Sequence, residues 1–360
     1  MIEAQLWKPA ADKNVRCELC NQFCLIEPGA RGKCGVRENH DGRLMSLSAD
    51  KVAAMNLDPI EKKPLYHFLP GTTSLSIGTP GCTMACQFCQ NYSLSMPPKQ
   101  GDEVRGERIT PEVIVETALR YGAASISYTY SEPTIFFELA EPCSKLAIDN
   151  GLKNVWVSNG YMSDKCLERL RDIIHAANID LKAFNDDFYR NICDARLKPV
   201  LKNIVSIKKM GWWLELTTLL IPGMNDSDEE LRGMAAYIRD DVGADTPWHI
   251  SRFHPTYKLT TKPITPVERL ERAWEIGKEA GLKYVYVGNV PGHVSDHTTC
   301  PECGCLCLDR SGFSVTSNAI KDGKCPKCGL EIPGVGLSVE AGKSRAAKGR
   351  KSEATRRPSI

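Results

Sequence analysis

The chain has 360 residues, of which 42% are apolar and 25% are charged, and its formal net charge is +2. These values are ordinary for a globular protein of two or three domains, and they exclude collagen-like and wholly disordered chains. No apolar run approaches the roughly 18 residues that span a membrane, and residues 1–14 lack the apolar stretch of a signal peptide. We therefore expect a cytoplasmic protein that has no membrane partner.

Sixteen cysteines are the unusual feature of the composition. Most of them lie in three groups, whereas Cys143, Cys166 and Cys193 stand alone. Grouped cysteines in a chain without a secretion signal are typical of metal or cluster ligands, while disulfide scaffolds are typical of short secreted proteins. The sequence therefore predicts several metal sites.

Residues 1–72 form a cysteine-rich region that we expect to bind metal. Four cysteines fall within eighteen residues, and we call them the N-terminal cysteines: Cys17, Cys20, Cys24 and Cys34. Four thiolates can hold either zinc or an iron–sulfur cluster. The irregular spacing does not distinguish these two metals, and free thiols are a third interpretation.

Residues 73–297 alternate short apolar runs with helical patterns, which predicts an α/β fold of parallel strands joined by crossover helices. The predicted strands are Ser74–Gly78, Ser125–Tyr130, Asn154–Ser158, Asn178–Lys182, Trp213–Ile221, His249–Phe253 and Tyr284–Val287. The predicted helices lie near residues 111–121, 134–150, 163–174, 198–210, 227–240 and 266–280. A doubly wound open sheet and a partial (β/α)6-type TIM barrel both fit this pattern, and we expect the partial barrel. In either fold the chemistry lies at the C-terminal ends of the strands.

The segment after the first predicted strand carries a Cys-x3-Cys-x2-Cys motif. Its cysteines, which we call the loop cysteines, are Cys82, Cys86 and Cys89. Three thiolates are one short of the four that fill a four-iron cluster, and a metal site with an open position is typical of catalysis. A zinc loop that takes its fourth ligand from elsewhere is the alternative.

With the aromatic Phe88 before its third cysteine, and with its place directly after a strand, this segment resembles the radical S-adenosylmethionine (SAM) superfamily. The resemblance covers about residues 73–290. It implies that the loop cysteines hold a 4Fe–4S cluster and that the fourth iron binds SAM. It also implies reductive cleavage of SAM to a 5′-deoxyadenosyl radical that abstracts hydrogen from a substrate, with reduced flavodoxin or a ferredoxin-type protein as electron donor.

The same resemblance suggests residues that bind SAM at the strand ends. They are Phe88, Glu132, Ser158, Asn159, Asp180, Lys182 and His254. All of these except Phe88 also have a structural interpretation. Glu132 could be an acid at a helix N-terminus, Ser158 and Asn159 a polar turn, Asp180 and Lys182 a mutual ion pair, and His254 part of a capped turn.

Two further segments, Gly32–Asn39 and Asp58–Phe68, are similar to the radical SAM enzymes of the AmmeMemoRadiSam system, which are often labelled pyruvate formate-lyase activating enzyme-like. That similarity runs from about residue 15 to residue 335 and does not identify a substrate. Glycyl-radical activating enzymes also carry an arginine on the fifth strand, where this chain has Thr217 or Thr218.

Residues 298–335 form a small C-terminal module with paired Cys-x2-Cys-Gly motifs. Its ribbon cysteines are Cys300, Cys303, Cys325 and Cys328. This spacing is typical of a zinc ribbon, with a single rubredoxin-like iron as the alternative. Cys305 and Cys307 are surplus, and the segment 312–316 reads as a strand. The basic remainder, residues 336–360, is predicted to be a disordered tail.

The sequence thus predicts a radical SAM enzyme that acts on an unidentified substrate, either a small molecule or a protein. A glycyl-radical activating enzyme is the alternative. A non-catalytic iron–sulfur protein, either an electron carrier or a nucleic-acid-binding protein, is a weaker one, because a three-cysteine site with polar strand ends that face SAM argues against it. Residues 1–340 are mildly acidic, so nucleic acid is not an expected partner.

Overall fold

This computed structural model describes residues 1–290 and 296–338. Most of the predicted basic tail lies outside the described residues.

The strands are short in both terminal regions and longer in the centre. They are β1 Ile2–Glu3, β2 Trp7–Pro9, β3 Val15–Cys17, β4 Leu25–Ile26, β5 Arg37–His40, β6 Arg43–Ser46, β7 Lys51–Val52, β8 Ala54–Pro59, β9 Thr73–Gly78, β10 Glu107–Arg108, β11 Ser125–Tyr128, β12 Lys153–Ser158, β13 Ala176–Asp180, β14 Trp213–Leu220, β15 Trp248–Arg252, β16 Val285–Gly288, β17 Thr298–Thr299, β18 Leu306–Ser311 and β19 Ser314–Asn318.

The helices lie almost entirely between the central strands. They are α1 Tyr92–Ser95, α2 Pro111–Arg120, α3 Phe137–Asp149, α4 Asp164–Leu170, α5 Asp186–Cys193, α6 Leu197–Lys209, α7 Asp228–Tyr237 and α8 Val267–Glu279. Short 3-10 turns cover Ala11–Lys13, Ile60–Lys62, Pro97–Gln100 and Pro133–Phe136, and a π-helical turn covers Ile238–Gly243.

An eight-stranded sheet forms the centre of the molecule, in the order β16-β15-β14-β13-β12-β11-β9-β8. Seven strands are parallel and follow chain order, while β8 pairs antiparallel with β9. Within the described residues no pairing joins β8 to β16, so the sheet is open and no closed barrel forms. A doubly wound sheet would reverse its strand order, and this one does not.

All seven predicted core strands are present, and the α/β fold class is confirmed. The sheet also begins earlier than residue 73, because β8 lies in the predicted N-terminal region. The helix α5 was not predicted. In the C-terminal module, residues 312–313 form the turn of a hairpin, and its strands are β18 and β19.

The side of the sheet opposite the helices is partly filled by the chain segment between β8 and β9. Ile60, Leu65 and Phe68 pack there against Val155 and Ala176, which lie early in β12 and β13. This packing covers the N-terminal halves of the strands. Their C-terminal ends remain free to carry a site.

The C-terminal module is a three-stranded antiparallel sheet that packs against the edge of the large one. Leu308 and Ile332 of the module are buried with Tyr66, Tyr284 and Tyr286. A β-bridge between residues 68 and 335 adds a backbone connection. The module is therefore attached through the same segment that fills the sheet face.

His67 lies fully buried at this junction. Its Nδ1 is 2.8 Å from the carbonyl oxygen of Pro333, and its Nε2 is 2.6 Å from the hydroxyl of Tyr286. A carbonyl oxygen only accepts, so Nδ1 carries the proton and Nε2 accepts from Tyr286. Burial lowers the pKa of His67 to about 4, so the neutral ring makes these bonds at neutral pH.

We predict that acidification destabilises this junction. The folded-state pKa of about 4 lies below the ordinary value of 6.5, so the stability contributed by neutral His67 is complete above pH 6.5 and is lost as the pH falls toward 4. At pH 5 the loss should be about 2 kcal/mol. Denaturant unfolding at pH 7 and pH 5 measures it. His67→Gln keeps a hydrogen-bond donor and an acceptor but does not titrate, so the stability of this variant should fall less between pH 7 and pH 5. A variant whose stability depends on pH as strongly as the wild type would contradict this role of His67.

Candidate active site

The loop cysteines follow β9 directly, at the C-terminal end of the first parallel strand. The loop is held by backbone hydrogen bonds from the Ala85 N–H to the Cys193 carbonyl (2.9 Å) and from the Gln87 N–H to the Ile192 carbonyl (3.0 Å). The Lys258 N–H, after β15, donates to the Gln87 carbonyl at 3.0 Å. The loop is thus fixed between α5 and the end of β15.

Two thiols of this loop, those of Cys82 and Cys86, are buried, that of Cys89 is half-buried, and N–H donors face Cys82. The Met84 N–H lies 3.5 Å from the Cys82 sulfur, and the Asn159 side-chain amide lies 3.7 Å from it. Burial raises the pKa of Cys82 and of Cys89. Such thiols stay protonated unless a metal replaces the proton, and an all-sulfur donor set suits an iron–sulfur cluster.

The loop cysteines are spread too widely for one zinc ion. In the part of the chain that the structure describes, only the ribbon cysteines bring three or more His, Cys, Asp or Glu ligand atoms within 4.8 Å of one another. Ligands of one tetrahedral zinc lie about 4 Å apart. The wider spacing suits thiolates that bind separate irons of one cluster.

Cys193 is a residue that sequence reasoning missed. It is fully buried at the end of α5, and its thiol forms a hydrogen bond with that of Cys86. This contact, followed by burial, raises the pKa of Cys86. A single cysteine far from the motif has no spacing that could have identified it.

Asp180 and Lys182 lie beside the cysteine loop at the end of β13. Their carboxylate and ammonium groups are 2.8 Å apart, and the Lys182 ammonium is 5.8 Å from the Phe88 ring centroid. Burial opposes the charge of Lys182, but the Asp180 carboxylate and the thiol of Cys86 together hold its pKa well above the usual range. The Asp180 side chain is 39% exposed and that of Lys182 is 12% exposed, so Asp180 is the more open of the two to a ligand.

Glu132 is fully buried, and both of its carboxylate oxygens are used within the protein. It accepts from the Thr134 N–H and hydroxyl, from the Ser158 hydroxyl and from the Asn159 N–H. Asn159 in turn contacts Thr83 and Cys82 of the cysteine loop. Glu132 therefore positions Asn159, which reaches the loop directly.

Tyr130, after β11, has an unusual backbone conformation for a residue other than glycine. Its φ is +67°, in the left-handed region that favours glycine. The hydroxyl of Tyr130 donates to Asp58 at 2.7 Å, and the Asn91 side chain donates to its carbonyl oxygen at 2.6 Å. These contacts hold a glycine-like backbone turn without glycine.

His254 follows β15 and is exposed. It makes no hydrogen bond, ion pair or ring contact among the described residues. The neighbouring Tyr257 stacks on Tyr92 with ring centroids 4.9 Å apart. His254 therefore has no hydrogen bond or ion pair with Asp180 or Lys182, and the segment after it reaches the cysteine loop through Tyr257 and Lys258.

The two outer cysteine groups differ in geometry. Among the ribbon cysteines, the sulfurs of Cys300 and Cys328 are 3.5 Å apart and those of Cys303 and Cys325 are 3.6 Å apart. This is close to the separation expected around one tetrahedral metal ion. The N-terminal cysteines line a single cavity but are not within 4.8 Å of one another.

No helix among residues 1–290 and 296–338 is long and apolar enough to cross a membrane.

Comparison with known proteins agrees with this geometry. The family model of the radical SAM superfamily matches residues 76–235. The curated Uncharacterized protein MJ0808 of Methanocaldococcus jannaschii is 44% identical over 334 residues, which cover 92% of this chain and 99% of that protein. The GTP 3',8-cyclase of Aquifex aeolicus is 22% identical over 194 residues, covering 48% of this chain and 58% of the cyclase.

Among solved structures, a radical SAM methyltransferase from Sphaerobacter thermophilus is 18% identical, with a TM-score of 0.49, and the match covers 65% of this chain and 71% of that one. The family model spans β9 to α7, which includes the loop cysteines and the strand ends around them. Residues 76–235 of the chain form a radical SAM superfamily domain.

Proposed function

We propose that the loop cysteines hold a 4Fe–4S cluster with one open iron, and that the protein cleaves SAM reductively to act on a small-molecule substrate. The observation that carries this proposal is the loop itself. Its three thiols stand at the C-terminal end of β9 beside Asp180 and Lys182, two of them buried and that of Cys89 half-buried, and their sulfurs do not all lie within 4.8 Å of one another.

When bound, the cluster supplies the electron that splits SAM into methionine and a 5′-deoxyadenosyl radical, which takes a hydrogen atom from the substrate. The protein binds and orients these groups. The Asp180 carboxylate would offer a hydrogen-bond acceptor to bound SAM, and Lys182 holds that carboxylate in place. Phe88 and Phe188, with ring centroids 5.7 Å apart, exclude water beside the cluster.

The fifth parallel strand, β14, favours a small-molecule substrate over a glycyl-radical partner protein. Thr217 donates to the Asn178 side chain at 2.8 Å, and Thr218 is buried and donates to the Leu181 carbonyl at 2.8 Å. Neither can replace the arginine that glycyl-radical activating enzymes carry there. The activase remains the alternative.

Separate observations support the fold and the metal of the C-terminal module. The open sheet with strands in chain order supports a partial barrel. The sulfur spacing of the ribbon cysteines supports zinc. The pair Asp180–Lys182 and the residues Glu132, Ser158, Asn159 and His254 are proposed to form the SAM pocket, with Glu132 acting through Asn159. Reduced flavodoxin or a ferredoxin-type protein in the cytoplasm is the proposed electron donor.

Replacing all three loop cysteines with alanine should abolish SAM cleavage, because Cys193, whose thiol lies beside that of Cys86, cannot hold a four-iron cluster by itself. The measurement is 5′-deoxyadenosine released after anaerobic reconstitution with iron and sulfide and reduction with dithionite. Cys143→Ala, which removes a buried thiol on α3, is the matched control and should retain full turnover. Cleavage of SAM by the triple variant would refute the assignment.

Asp180→Asn should weaken SAM binding by roughly 1–3 kcal/mol, because it removes a charged acceptor and leaves Lys182 with a poorer partner. Equilibrium binding of SAM to the reconstituted protein measures this loss. Asp187→Asn, the same change at an exposed position on α5, is the control and should leave the affinity unchanged. If both variants bind SAM with the same affinity, Asp180 does not belong to the SAM pocket.

A further inference from the structure

The N-terminal cysteines face one another around one small cavity, which Arg37 also lines. Cys17, Cys20 and Cys34 are buried, and Cys24 is half-buried. Four thiols around one cavity can bind a metal centre in common. These residues therefore form one site.

The separation of the sulfurs in space distinguishes the metals that the spacing of the cysteines along the chain left open. In a tetrahedral zinc site all four sulfurs lie about 2.3 Å from the centre and therefore about 4 Å from one another. The ribbon cysteines already have the compact arrangement, and the N-terminal cysteines do not.

The buried guanidinium group of Arg37 also belongs to this site. The Arg37 side chain is 1% exposed, is paired with the buried carboxylate of Glu138, and places one guanidinium nitrogen 3.8 Å from the Cys17 sulfur. Its Nε is buried and has no hydrogen-bond partner. A positive group with a free N–H donor suits a negatively charged cluster that carries several acceptor sulfurs.

The site also lies directly against the loop that carries the other three cysteines. A side chain on Gly81 would come within 2.9 Å of the Cys34 carbonyl oxygen. The Gln22 side chain donates to the Thr83 carbonyl at 3.1 Å, and Cys20 forms a β-bridge with Met162. The two cysteine groups are therefore in contact through the backbone.

We propose that the N-terminal cysteines hold an auxiliary 4Fe–4S cluster beside the catalytic one. Each iron then has its own protein thiolate, so this cluster has no open position for SAM. The proposal rests on the thiol spacing and not on the SAM chemistry proposed above.

The test is the content of iron, inorganic sulfide and zinc per chain after anaerobic reconstitution of the full-length protein. The sulfide content distinguishes a cluster from a single metal ion, because neither a zinc site nor a single-iron site contains inorganic sulfide. Two clusters predict about eight sulfides in the wild type, and about four in Cys20→Ala/Cys24→Ala and in the triple variant of the loop cysteines. Cys143→Ala should keep about eight. The reduced triple variant should show a cluster EPR signal that SAM does not alter.

A wild type with about four sulfides, or zinc that disappears in Cys20→Ala/Cys24→Ala, would overturn the proposal. If that double variant does not fold, the triple variant decides, because its N-terminal site is intact: a complete absence of sulfide there overturns the auxiliary cluster. A triple variant that keeps its sulfide and still cleaves SAM would instead overturn the proposed function.

Discussion

A loop that carries three thiolates into a buried site needs donors and cations to offset their charge, and the arrangement of the surrounding chain meets this need. Lys182 lies beside the loop, while Asn159 and the Met84 N–H face the Cys82 sulfur. Each of these groups is in turn held by other parts of the protein. Asp180 holds Lys182, and Glu132 holds the Asn159 backbone. The site is therefore positioned by several strands at once.

The rest of the fold leaves this end of the sheet available. The segment between β8 and β9 fills the N-terminal halves of the strands, and the C-terminal module packs on that segment through His67 and Tyr66. The N-terminal region approaches from the other side and places its own cysteines against the loop. The three cysteine groups thus have distinct positions, two adjacent at the strand ends and one at the edge of the sheet.

The sequence was most informative where local patterns are strong. Apolar runs predicted the seven parallel strands, and cysteine spacing identified the loop. It was less informative where contacts are distant in sequence. The strand β8 mixes apolar and polar residues and ends in Pro59, and α5 is only eight residues long, so neither has a long local pattern. Cys193 reaches Cys86 only through the tertiary fold. Spacing along the chain also could not separate zinc from an iron–sulfur cluster, because that choice depends on distances between sulfurs in space.

The central claim is that the loop cysteines leave one iron of their cluster open to SAM. EPR spectroscopy of the dithionite-reduced wild type, recorded with and without SAM, tests it most directly. Binding of SAM at an open iron should shift the g values of the signal that is missing from the triple variant of the loop cysteines. If that signal is identical with and without saturating SAM, the cluster has no open position and the account is wrong.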